Sequence, residues 1–220
     1  MYYPNAHKGI KKLFIGEILV IIAAIFALVP TVLKPFTFDW VPDLLKNTIF
    51  PIFTGVFSIF AFIAIIAAFV LQLIGLLQGG KDSDYIRLGF WITIFIIVFS
   101  VASQIMKSAL PQFSLAYAFV DGFVDILSTM VMVYVVLGIA QLAASLNNYR
   151  LVSLCKIVMW LIIALFALSI IIAVTAHFFT SSNVMIGFNI GLSIFAALIE
   201  LLVAILYFFL LLKATIALRK

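Results

Sequence analysis

The chain has 220 residues, of which 67% are hydrophobic and 10% charged, with a formal net charge of +5, far from the roughly 45–50% apolar and 25% charged residues of soluble domains. This balance excludes an aqueous globular domain, since no polar interval between apolar runs approaches the roughly 50 residues of a separate core. The single cysteine, Cys155, excludes an internal disulfide, a Cys-x-x-Cys redox pair and a thiolate zinc cluster.

Six apolar stretches meet the length of about 20 residues that a spanning helix needs. They are Leu13–Val29, Ile52–Leu77, Leu88–Met106, Val120–Leu146, Leu151–Phe178 and Val184–Leu212. None shows the alternating pattern of barrel strands. The expected fold class is therefore all-α: a polytopic membrane helix bundle with six transmembrane helices, forming one integral membrane domain over residues 1–220.

The first stretch follows Lys8, Lys11 and Lys12, as the core of a signal peptide would. It has no Ala-x-Ala-like cleavage site and is long enough to span, so it is expected to be retained as the first helix. It carries one carboxylate, Glu17, and a small-residue pair, Ala23 and Ala27, of the kind that lets helices approach closely. In the following connection, "PTVLKPFTFDWVPDLLKNTIFP", Trp40 with Phe36 and Phe38 is expected to anchor at the interface. Pro42 is placed to start a short surface helix there.

The second stretch ends in "GLLQ", and Gly79-Gly80 reads as a turn. Arg87 introduces the third stretch, which contains Thr93 and Ser100. The fourth opens in "FVDGFVDILSTM", where Asp121 and Asp125 share a helix face. An aspartate at mid-membrane costs about 2.5–3.5 kcal/mol to insert. Ile126–Leu146 alone is long enough to span, so the two aspartates are expected at the outer boundary, with Asp125 capping the helix. The competing reading makes Asp121, Asp125 and Ser128 an inward-facing cation or substrate site.

Lys156, in the fifth stretch, stands in the same register after Arg150 as Thr93 after Arg87 and Glu17 after Lys11. "GIAQ", Gly138 to Gln141, follows "GLLQ", Gly75 to Gln78, at the offset separating Arg150 from Arg87. Such recurrence is expected of three repeated helical hairpins. It also places Glu17 and Lys156 at one depth, about 9 Å beyond their basic markers at 1.5 Å per residue, as a candidate ion pair.

The sixth stretch contains "GFNIG", in which Gly187 and Gly191 enclose Asn189, a helix-packing signal with a hydrogen-bonding side chain. Glu200, thirteen residues before Lys213, lies near mid-span. It is expected to join Ser100, Ser128, Thr129 and Ser169 in a polar layer, and an intramembrane carboxylate is a functional candidate by default.

Of the 13 lysines and arginines, only Lys34, Lys46 and Lys107 fall on the face opposite the N-terminus. The excess of basic residues on the other face is expected to place both termini in the cytoplasm of a cell-membrane protein, with a basic rim that attracts anionic lipids. Signatures of an enzyme are absent: there is no His-Glu-x-x-His, no Gly-x-Ser-x-Gly and no P-loop. No enzyme activity, cofactor, metal or nucleic-acid partner is expected. The favoured reading is a small permease or transporter component for a small solute or ion, with substrate candidates Glu200, Asp121, Asp125, Ser128 and Asn189. The alternative is a membrane scaffold, assembly or regulatory subunit acting through helix contacts with a partner or a second copy.

Overall fold

A computed structural model describes residues 3–33, 50–109, 114–178 and 183–219, and every regular element among them is an α-helix. The helices are α1 (Pro4–Leu33), α2 (Phe50–Gly79), α3 (Asp84–Ala109), α4 (Ser114–Ser145), α5 (Tyr149–Phe178) and α6 (Asn183–Ala217). Each apolar stretch read from the sequence falls within one helix, except that Leu146 lies one residue past α4. Among the described residues, five stretches are long and apolar enough to cross a membrane: Pro51–Gly79, Asp84–Ser108, Gly122–Ser145, Tyr149–Ile172 and Gly191–Ala217.

The outer surface carries Phe62, Ile105 and Trp160 at 64%, 62% and 66% exposure among many other large apolar residues. Water would not tolerate an apolar surface of that extent, whereas hydrocarbon does. The chain is thus a multi-pass membrane helix bundle. The aromatic anchor at Trp40 and the surface helix expected after Pro42 lie outside the described residues.

Each helix packs on its neighbours in the chain, and α6 returns to α1, closing a ring. The contacts are most extensive within the pairs α1/α2 and α3/α4. Among the described residues, the main core lies towards the end where the chain termini meet, built from residues such as Ile10, Leu76, Ile86, Ile139, Val158 and Leu210.

Capping chemistry knits that end together. Pro4 opens α1, where its missing N–H costs nothing. The carboxylate of Asp82, in the α2–α3 turn, accepts from the Ala6 N–H at 2.8 Å and the Asn5 Nδ2 at 3.0 Å, so a distant turn caps the first helix. The Thr215 carbonyl near the end of α6 accepts from His7 Nδ1 at 3.1 Å. A carbonyl can only accept, which puts a proton on Nδ1. The Ser83 hydroxyl, before α3, donates to Gln141 Oε1 of α4 at 3.1 Å.

The α4–α5 turn is made by "NN". Asn147 adopts φ of 54°, a conformation asparagine accepts more readily than most residues. The Asn148 N–H reaches the Ala143 carbonyl at 2.9 Å and the Asn147 N–H the Ala144 carbonyl at 3.0 Å, the paired bonds of a Schellman ending. The Asn148 side chain then accepts from the Leu151 N–H at 3.2 Å, capping α5.

The α1/α2 seam is lined by small residues seven apart. Gly9, Gly16 and Ala23 are buried on α1, and Ala61, Ala68 and Gly75 on α2. A Cβ placed on Gly9 would lie 2.5 Å from the Gly75 carbonyl oxygen and 2.5 Å from the Gly79 nitrogen. The backbones touch there because neither helix has a side chain in the way. A sevenfold repeat keeps such a seam in register along a gently supercoiled pair.

Candidate functional site: a cavity with polar groups between five helices

A cavity of about 320 Å³ opens between α1, α2, α3, α4 and α6, with walls including Phe69, Leu73, Ile96, Val131 and Met132. Its polar groups are Glu17, Gln72, Thr93, Ser128 and Tyr207. Leu13, Leu76, Val135 and Tyr207 belong both to its lining and to the buried core. Along α1, α2 and α4, the step from these core residues to Glu17, Gln72 and Ser128 leads away from the termini. The packed core therefore floors the cavity on the side of the termini.

Gln72 Nε2 donates to Glu17 Oε1 at 3.1 Å, leaving the second carboxylate oxygen available to accept. The Thr93 hydroxyl donates to the Gly89 carbonyl at 2.9 Å and the Ser128 hydroxyl to the Val124 carbonyl at 2.9 Å. Having spent their protons on their own helices, both oxygens present lone pairs to further donors. Tyr207 is only 8% exposed and lies within electrostatic reach of Glu17. Its side chain lines the cavity together with Glu17. The cavity is thus rich in acceptors around one acid, an arrangement suited to a small cation or a solute bearing N–H or O–H donors. Among the described residues, no group of three or more His, Cys, Asp or Glu could hold a metal ion.

Of the residues nominated from sequence, Glu17 and Ser128 converge on this cavity, joined by Thr93. Lys156 does not join them: it is exposed on α5, which packs on α4 and α6, whereas α1 packs on α2 and α6. Equal depth does not make neighbours of helices separated around the ring, and the carboxylate finds Gln72 instead of an ion-pair partner.

Glu200 is exposed on α6 and does not line this cavity. Of the expected polar layer only Ser128 lines this cavity, and the hydroxyls of Thr129 and Ser169 donate to the Asp125 and Leu165 carbonyls of their own helices. Asp125 is exposed and does not cap α4, since that helix begins at Ser114. The side chains of Asp121, Gly187 and Asn189 lie outside the described residues.

Ala23 is buried in the α1/α2 seam, whereas Ala27 is exposed. Gly191 is exposed, and nothing lies within 4 Å of a Cβ placed on it. Sequence reasoning missed Gln72 and Tyr207; a polar amide within an otherwise apolar span was the available signal for the first. The small-residue heptads were a signal for the seam. Neither family models, curated proteins nor solved structures yield a match to this chain.

Proposed function

We propose that the chain is a small permease or transporter component that recognises a small cation or cationic solute in the cavity around Glu17. The observation that carries this reading is an acid, an amide and three hydroxyls facing one cavity of about 320 Å³, near the lower end of the roughly 300–1,000 Å³ typical of ligand sites. Intramembrane ionisable groups that face a cavity mark substrate and ion pathways. In this reading all six helices span, α1 through Leu13–Val29, and both termini face the cytoplasm. The three hairpins descend from one repeat, whose register places Glu17 and Thr93 at the same site.

The test is uptake of labelled sodium, potassium, guanidinium and choline by proteoliposomes. Glu17→Gln is expected to lower uptake at least tenfold, and Tyr207→Phe to raise the half-saturating concentration. Uptake no faster than in protein-free liposomes for all four cations would exclude the reading for that class of solute.

One observation favours the alternative of a subunit working through helix contacts. Glu200, exposed on α6, would be covered if a partner helix or a second copy packed there, and polar groups do join helices within membranes. Co-purification of a membrane protein lost in Glu200→Leu, together with no cation flux, would select that alternative.

A further inference from the structure

We propose that a second cavity, at the junction of the α4–α5 turn with the end of α6, binds the headgroup of an anionic phospholipid. This cavity has a volume of about 700 Å³ and is distinct from the polar cavity in its lining. Its charged members are Arg150, in the first turn of α5, and Lys213, near the end of α6. Both side chains are exposed, and neither has an ion-pair partner among the described residues. Leu146, Leu151, Leu154 and Ile216 supply most of the remaining lining.

Two cations beside an apolar floor match an amphiphile better than a free anion. The guanidinium and ammonium groups complement a phosphodiester, while the leucines and isoleucine accept the adjoining glycerol and acyl carbons. The place in the fold agrees with this chemistry. Arg150 and Lys213 stand at the helix ends that border the membrane surface, where long basic side chains lay their stems on apolar surface and present their charge to headgroups. Asn148 also lines the cavity, and its Oδ1 is engaged in capping α5, leaving its Nδ2 free to donate towards the same phosphate.

The test is native mass spectrometry of the detergent-purified protein titrated with phosphatidylglycerol or phosphatidylcholine, with inorganic phosphate as competitor. Phosphatidylglycerol is expected to bind more tightly than phosphatidylcholine. R150Q/K213Q is expected to weaken that binding by about 25-fold, roughly fivefold per charge near an anionic headgroup. K8Q/K81Q, which removes the same charge from exposed positions elsewhere on the rim, is expected to leave it unchanged. Leu154→Trp, which fills the floor without altering charge, is expected to weaken the binding of phosphatidylglycerol.

Equal weakening by the two double variants would overturn the proposal in favour of diffuse attraction by the rim. Displacement of the lipid by millimolar phosphate would overturn it in favour of a free-anion site. Absence of any preference for phosphatidylglycerol would overturn it outright. None of these outcomes depends on whether the polar cavity transports a cation.

Discussion

At the scale of single residues, the decisive side chains are those that satisfy groups on other helices. Asp82 is the clearest case, because its carboxylate accepts from both Asn5 and Ala6 at the start of α1. The first N–H groups of any helix lack intrahelical partners, and a negative charge there also suits the helix dipole. Asp82→Ala is expected to destabilise the start of α1 by about 1–2 kcal/mol. Hydrogen exchange should report it as faster exchange at the Ala6 amide, with amides in the middle of α5 unaffected. Glu17 follows the same logic in the cavity, where Gln72 holds one carboxylate oxygen and the other remains available to a ligand.

At the scale of elements, the α1/α2 hairpin depends on backbone contact at Gly9, Gly75 and Gly79. Gly9→Val would drive a side chain into the backbone of α2, and overpacking of this kind costs about 1–3 kcal/mol or more. The expected result is a lower unfolding temperature in detergent. Gly191→Ala should do the opposite, because nothing lies within 4 Å of the added carbon and alanine favours a helix over glycine by about 1 kcal/mol. If the two substitutions destabilised equally, the seam would not be where these contacts put it. The two sites were not separable by motif alone: Gly187–Gly191 and Gly75–Gly79 share one spacing, yet Gly75 and Gly79 are buried and Gly191 is exposed.

At the scale of the whole molecule, ring closure is made by α6 against α1, where the Phe14 and Phe208 rings meet at a 40° tilt with centroids 4.9 Å apart and His7 meets Thr215. Cys155 sits inside the resulting core at 1% exposure, alongside Val158 and Ile162. It is the chain's only cysteine, so it reports on the bundle as a unit. Maleimide is expected to leave it unmodified in the folded protein and to label it fully after denaturation. Rapid labelling under native conditions would contradict the packing of α5.

Membrane residence and the helical segments were legible in the residues alone, because a run of about 20 apolar residues must hydrogen-bond its own backbone in lipid. Glu17 could be nominated from its type and depth. Its partner could not, and neither could the absence of Glu200 from the cavity lining. In water, an apolar stripe shows which face of a helix points inward. Lipid and bundle interior are equally apolar, so that signal vanishes and rotation about each helix axis goes unmarked in the sequence. Close backbone contact at glycines and the order of helices around the ring set those rotations, and they brought Glu17, Gln72, Thr93, Ser128 and Tyr207 to one cavity. That choice belonged to the tertiary structure, because it depends on which surfaces fit each other, and fit is a property of pairs of helices.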